Sequence, residues 1–427
     1  MKNIKILFSL LIISNLLFAA CSSKDNGDNS VADIGLIHAS QAPFIEASAH
    51  HPPRTDIYGA LNHDEVIGVW ISYIELSGIL TKKTEAQFKK SFAEMMDNCA
   101  ALGINTAFVH LRPFGDALYN SDYFPWSKYV TGTIGKEPSF DPLQIMLEAA
   151  HERGISFHGW LNPMRIQVDA DIDKVSSDLP IGEWYRDDSK RGKYIVKNGD
   201  NWYLNPAYEE VTNLIGKGAS EIAARYNIDG IHIDDYFYPT TATTFDADAF
   251  ADSSNIDLNR FRKSNCNNMV RILYTSTKQG NPNALFGISP QGSIENNREQ
   301  LYADVETWCK NIGYADYIAP QFYYGFENSD QPYSECTTRW QGMLDGSPVK
   351  LLFGLAVYKI GSEDAWAGDG SQEWIDEDKI LLRQIEKARE LSNYGGIIFF
   401  SYNWLFSPAH ITDAIQKEIN AFKPILR

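Results

Sequence analysis

The chain has 427 residues, a formal net charge of −17, 44% apolar residues and 13% aromatic residues. That length allows one large barrel or two ordinary domains. The acidity, with no basic stripe to neutralise phosphates, excludes nucleic acid as a partner.

At the start, Lys2 and Lys5 precede an apolar run from Ile6 to Ala20 that is too short to span a membrane comfortably. The run ends in Phe18-Ala19-Ala20-Cys21, which resembles a bacterial lipoprotein processing site, although Phe18 is less usual at its position. The expectation is a signal peptide over 1–20 and lipid on Cys21. The exported chain would then be anchored to a bacterial membrane on its periplasmic or cell-surface side. The competing reading is an ordinary cleaved signal peptide with Cys21 incidental. Residues 21–60 form a polar tether and lead-in, and the folded domain runs over 61–427. No second hydrophobic segment is long enough to cross a membrane. Cys99, Cys266, Cys309 and Cys336 are scattered without metal-finger spacing. Cys99 and Cys309 fall on apolar helix faces, which suits buried thiols better than bridges.

Past residue 60 the chain alternates between short β-branched or aromatic runs and helical stretches. The strand candidates are Val66–Tyr73, Asn105–Arg112, Ile155–Asn162, Asp229–Asp235, Ala284–Gln291, Ala315–Tyr323, Lys350–Tyr358 and Tyr394–Tyr402. Between them, Phe88, Phe92, Met95, Cys99 and Leu102 mark an apolar helical stripe closed by Gly103. Asp141-Pro142 and Asn205-Pro206 are helix starts, each a capping residue followed by proline. Eight strand–helix units predict an α/β fold, a single (β/α)8 TIM barrel. A doubly wound open sheet is the alternative, but no Gly-rich nucleotide fingerprint follows the first strand. Three long connections, Pro113–Phe140, Pro163–Leu204 and Tyr236–Ile256, follow the second, third and fourth strands. They therefore lie on the carboxyl face, where barrel enzymes build their sites.

Strand alternation then sorts the side chains. His110 and Arg112 share a face, as do His158, Trp160 and Asn162, then His232 and Asp234. Gly287, Ser289 and Gln291 follow, then Gln321 and Tyr323, then Tyr402 and Trp404. A barrel interior normally holds branched aliphatics, whereas this set grows more polar toward the carboxyl end. Cleaving a glycosidic bond requires an acid for the leaving oxygen and an anion or nucleophile for the oxocarbenium-like centre. Asp234 and Asp235 are the obvious carboxylates, supported by Asp116. Trp126, Trp160, Tyr236, Tyr323 and Trp404 are candidate sugar platforms. Arg112, His158, Asn162, His232, Gln291 and Gln321 are candidate hydroxyl-binding groups. The bland readings make Asp234 a structural anion paired with Arg112, Asp116 a turn residue, and half of the aromatics loop packing. Alternation also turns Asp235 away unless the strand ends there. His110, His158 and His232 are either satisfied core histidines or, with Asp234, ligands of a metal-dependent hydrolase.

These residues sit in longer runs. They include Arg112-Pro-Phe-Gly-Asp-Ala-Leu-Tyr119, Phe124-Pro-Trp-Ser127, His158-Gly-Trp-Leu-Asn-Pro163 and Trp202-Tyr-Leu-Asn-Pro206. Asp229-Gly-Ile-His-Ile-Asp-Asp-Tyr-Phe-Tyr-Pro239, Gly287-Ile-Ser-Pro290 and Asp316-Tyr-Ile-Ala-Pro-Gln321 follow. From about Glu65 to Phe400 the chain resembles the glycosyl-hydrolase-like family 10 proteins. The resemblance implies a (β/α)8 barrel, often on an exported lipoprotein. It also implies action on peptidoglycan glycan strands from which the stem peptides have been removed, or on another polysaccharide. The fourth strand also resembles the chitinase signature, but Tyr236 stands where the chitinase acid would be. Adjacent aspartates there resemble hexosaminidases that use the substrate's own acetamido group. The expectation is therefore a glycoside hydrolase needing no cofactor or metal and no obligate protein partner. In it, one of Asp234 and Asp235 orients the acetamide and the other is the acid/base. The alternative pairs Asp234 with a carboxylate from another loop, with Glu363 and Asp364 nearest the seventh strand. A catalytically silent glycan-binding lipoprotein is the rival of a different class.

Overall fold

The computed structural model describes residues 56–426. The expected leader and Cys21, with the tether as far as residue 55, lie outside the described residues. Eleven strands follow in chain order. They are β1 (Val66–Ile71), β2 (Thr106–Arg112), β3 (Ser156–Leu161), β4 (Arg165–Val168), β5 (Ile195–Asn198) and β6 (Asn201–Leu204). The remainder are β7 (Gly230–Ile233), β8 (Leu285–Ile288), β9 (Tyr317–Ile318), β10 (Lys350–Ala356) and β11 (Tyr394–Phe400). Eight of these close a parallel barrel in the order β1-β11-β10-β9-β8-β7-β3-β2, so the expected (β/α)8 barrel is borne out.

Local signals explain much of the connecting structure. Thr84 and Gln87 form a reciprocal capping box at the start of helix Glu85–Leu102, and Gly103 ends it in the left-handed conformation. Its stripe of Phe88, Phe92, Met95, Cys99 and Leu102 is buried. Asp141 caps helix Pro142–His151 by accepting from the N–H groups of Leu143 and Gln144. The four cysteines of the barrel are buried and free.

Three expectations fail locally. The helix expected from Asn205-Pro206 starts at Glu209, because Asn205 spends its side chain on a turn, accepting from the Ala207 N–H at 3.2 Å. The strand expected over 315–323 shrinks to Tyr317–Ile318. Pro320 cannot donate to a ladder, and Gln321 beyond it makes only isolated bridges to Gln291 and Gly354. The connection after β3 carries its own antiparallel sheet in the order β4-β6-β5. Its β5–β6 hairpin turns through Gly199-Asp200, with Asn198 paired to Asn201 and Gly199 at φ 59°.

The barrel interior is small and partly polar. Trp70, Phe108, Trp160, Tyr317, Ala319, Leu352 and Ile398 form one buried cluster inside it. Alternate residues such as Val69, Val109, Ile231 and Phe286 join the larger core shared with the helices. Gly287 is required here, because a Cβ would fall 1.8 Å from the Tyr317 ring, and at Gly230 it would fall 2.4 Å from His158. Across this space the Trp70 indole N–H donates to His232 Nε2 at 3.1 Å. The indole can only donate, so His232 carries its proton on Nδ1. That proton faces the Tyr317 hydroxyl oxygen at 3.1 Å. The hydroxyl in turn donates to His158 Nδ1 at 2.9 Å.

This chain yields a stability prediction. Tyr317→Phe keeps the ring but strands two buried imidazole nitrogens, which costs about 2 kcal/mol or more. Denaturant unfolding measures it. A change below about 0.5 kcal/mol would show that the chain does not hold the lumen together.

Candidate active site

The site forms where β7 stops. Regular pairing ends at Ile233, so Asp234 and Asp235 lie beyond the pleat and strand alternation no longer separates them. The condition under which Asp235 can join Asp234, that the strand ends before it, is met. Asp235 accepts from Gln291 Nε2 at 3.1 Å and from Gln321 Nε2 at 3.3 Å. Asp234 is 4% exposed, and its Oδ1 finds no hydrogen-bond partner among the described residues.

The two carboxyl groups titrate apart. Burial and then the Asp235 charge push Asp234 well above the usual carboxylate range, against partial relief from the Trp160 indole, Arg165 and the Tyr236 backbone. Burial also raises Asp235, but the Gln291 and Gln321 amides oppose it. Asp234 is thus the group that holds its proton more tightly, and Asp235 the one that ionises first.

Several expected site residues are drawn together around this pair. Gln291 and Gln321 contact Asp235 directly. Tyr323 adds its ring to a wall with Tyr358 at 5.9 Å and Phe400 at 5.8 Å. Tyr236 lies over the Arg165 guanidinium at 5.2 Å. Trp160 is not an open sugar platform. It is 7% exposed and one face is covered by His110 at 3.7 Å, nearly parallel. Its role is to hold an indole N–H near Asp234. Asn162 supports it from below by accepting from His110 Nε2 at 2.8 Å. Trp404 sits on the short helix Tyr402–Phe406 and reaches the wall only through Tyr358, at 6.4 Å. Tyr402 faces the opposite way, where its hydroxyl accepts from Asn98.

Other expectations are overturned. Arg112 does not face the lumen. A register shift between His110 and Arg112 pairs Arg112 with the outward Leu161. Its guanidinium lies over Phe124 at 4.3 Å and against Gly218 of helix Glu209–Arg225. The proposed Asp234–Arg112 pair therefore does not form. His158 and His232 belong to the lumen chain, 2% and 0% exposed, and do not line the cleft. The metal reading of His110, His158 and His232 falls with them, because their ring nitrogens turn to Asn162, Trp70 and Tyr317. Among the described residues no three His, Cys, Asp or Glu side chains are arranged to hold a metal ion. Burial keeps all three imidazoles neutral, lowering His110 to about 3 and His158 to about 4.

Asp116 is buried with Ser127, Gln167 and Lys128, and burial raises it to about 6. These neighbours lie in the loop after β2 and on β4, so Asp116 sits between the two loops rather than with the pair. Trp126 lines a cavity of about 350 Å³ between the same loops, with Phe124, Lys174 and Ser176. Asp364 is taken by Lys359 at 2.5 Å, and Lys359 also donates to the Tyr323 carbonyl at 2.7 Å. It is therefore a brace for the wall and not a second carboxylate.

The sequence reading missed Arg165. It opens β4, and its guanidinium stacks on Phe114 at 4.1 Å as well as on Tyr236. The available signal was its place only three residues past Asn162, at a strand end on the carboxyl face.

Comparison with known proteins agrees with this architecture. Residues 65–371 match the family model described as glycosyl hydrolase-like 10. The Bacillus subtilis protein named glycosyl hydrolase YngK is 32% identical over 392 residues, covering 85% of this chain and 73% of that protein. The Escherichia coli protein named glycosyl hydrolase DigH is 30% identical over 353 residues, covering 75% of this chain and 77% of that protein. Among solved structures, the catalytic domain of a β-amylase from Paenibacillus polymyxa superposes with a TM-score of 0.54 at 10% identity. It covers 86% of this chain and all (100%) of that one. At that identity the likeness speaks for the barrel alone.

The Asp234 environment yields a pH-dependent stability. Its proton affinity is higher in the folded than in the unfolded chain. The stability it contributes is therefore present at low pH and lost as pH rises through its folded value. Asp234→Asn removes that loss, so the variant should melt a few degrees above wild type at alkaline pH and converge with it in acid. A melting difference that stays flat from about pH 5 to about pH 8 would show that Asp234 is not held protonated.

Proposed function

From the premise that the chain belongs to the glycosyl hydrolase-like 10 family and is a glycoside hydrolase, we propose that it cuts the glycan strands of peptidoglycan. The preferred substrate is the strand whose stem peptides have been removed. The observation that carries the chemistry is the adjacent pair of buried Asp234 and half-buried Asp235, held in unlike surroundings.

In this reading Asp234 gives its proton to the glycosidic oxygen as the bond to the anomeric carbon breaks. Asp235, fixed by Gln291 and Gln321, accepts from the N–H of the substrate's acetamido group. That group's carbonyl oxygen attacks the anomeric carbon and forms a cyclic oxazolinium. Water then opens the ring at the same carbon, returning a proton to Asp234. The wall of Tyr323, Tyr358 and Phe400 offers apolar faces to the sugar rings. The same reading places the enzyme outside the cytoplasm, held to a membrane by lipid on Cys21 after removal of residues 1–20. Cys21→Ser should then move the protein from the membrane to the soluble fraction on cell fractionation. Unchanged membrane retention would remove the anchor from the account.

Reducing-end release from intact and peptide-stripped peptidoglycan tests the activity. Stripped strands should be cut and intact ones much less, and Asp234→Asn should lower the rate by about 10²–10⁴. Equal cleavage after the acetyl groups are removed would sink acetamide assistance. Tight glycan binding without any release would favour a silent binding lipoprotein.

A further inference from the structure

Two well-buried arginines in this protein are answered by carboxylates, and a third, Arg112, is sealed in the interior with its terminal nitrogens unpartnered. Arg262 is wholly buried and pairs with Asp246 at 2.6 Å, and Arg225 pairs with Glu221 at 2.7 Å. Arg165 is different. It is 8% exposed, yet among the described residues its guanidinium makes no ion pair or hydrogen bond. What holds it is aromatic: Phe114 at 4.1 Å and Tyr236 at 5.2 Å. Its nitrogens are not among the sealed, unpartnered atoms of the interior, so the donors open on the cleft beside Asp234. A guanidinium held over ring faces and not by acceptors keeps its N–H groups available, and its planar fork can take a carboxylate with two parallel hydrogen bonds. A Lys in the same place would offer a point charge without that fork.

We propose that Arg165 is a specificity subsite that binds a free carboxylate on the glycan. The proposal rests on the glycan reading above and gives it a chemical reason. In peptidoglycan the lactyl ether of every second sugar ends in a carboxyl group. That group is an uncharged amide while the stem peptide is attached and a free anion once the peptide has gone. A buried cation with open donors therefore rewards the stripped strand. On an intact strand the same donors would meet a neutral amide, and the attached peptide would crowd the aromatic floor formed by Phe114 and Tyr236. Uronic acids carry the same carboxylate on a different arm of the sugar, and the test separates the two sources. Arg165 also lowers the proton affinity of Asp234, so loss of rate in a variant is not enough to assign the subsite.

The experiment crosses the protein change with a substrate change. Wild type, Arg165→Lys and Arg165→Gln are given stripped strands with free lactyl carboxylates and the same strands converted to methyl amides. Binding of an oligouronate is measured by calorimetry. For wild type, amidation should raise KM about tenfold or more with a smaller change in kcat. Arg165→Gln should erase that difference, and Arg165→Lys should keep part of it. Equal KM for both strands in wild type, with cleavage intact, overturns the subsite and leaves the peptidoglycan reading standing. No cleavage of either strand, but oligouronate binding that Arg165→Gln abolishes, keeps the carboxylate site and overturns the peptidoglycan reading. No carboxylate-dependent binding or cleavage with any of them overturns both.

Discussion

Two adjacent carboxyl groups at the mouth of the barrel repel one another when both ionise, and the rest of this site follows from how that conflict is resolved. Asp235 is given two amide donors, from Gln291 and Gln321. Asp234 is given burial and an unpartnered oxygen. One environment favours an anion and the other a neutral acid, which is the division of labour that bond cleavage at neutral pH demands. Neither residue creates the difference. It comes from the short continuations past β8 and β9, whose side chains supply the amides to Asp235 alone.

The barrel below is built to keep that mouth in place. Its lumen is too narrow for a full set of aliphatic layers, because Trp70, Phe108, Trp160 and Tyr317 already fill it. The space that remains is bridged by hydrogen bonds from Trp70 through His232 and Tyr317 to His158. A buried polar chain of this kind stabilises only when every member is satisfied, so it fixes ring orientations as well as filling space. One layer up, His110 packs flat against Trp160 and donates to Asn162, which holds the indole beside Asp234. The histidines that resemble metal ligands in the sequence are therefore supports for the acid.

The long connections supply what the barrel cannot. The small sheet after β3 brings Arg165 over the cleft, and the loop after β2 brings Phe114 beneath it. Lys128 ties those two loops together through Asp171 at 2.6 Å, with Asp116 buried between them. On the far side, Lys359 links the end of β10 to the Tyr323 backbone and is itself fixed by Asp364. Each of these loop groups is thus braced by an ion pair, Lys128 with Asp171 and Lys359 with Asp364.

The sequence alone determined the barrel, the helix cap at Asp141, the carboxyl face of the long loops, and the placing of Asp234, Gln291 and Gln321 at the strand ends. These are periodic or local properties: alternation, stripe spacing and capping act within a few residues and survive tertiary packing. It could not determine what happens where alternation stops. The end of β7 at Ile233 joined Asp235 to the pair, and the bulge after His110 sent Arg112 outward. The hairpin through Gly199-Asp200 was written in the local sequence, but its consequence was not: only folding decided that it sets Arg165 against Phe114 and Tyr236. One residue of register reverses a side chain. Register at strand ends is fixed by what packs across the barrel, and the tertiary structure decided there which charges share a cleft.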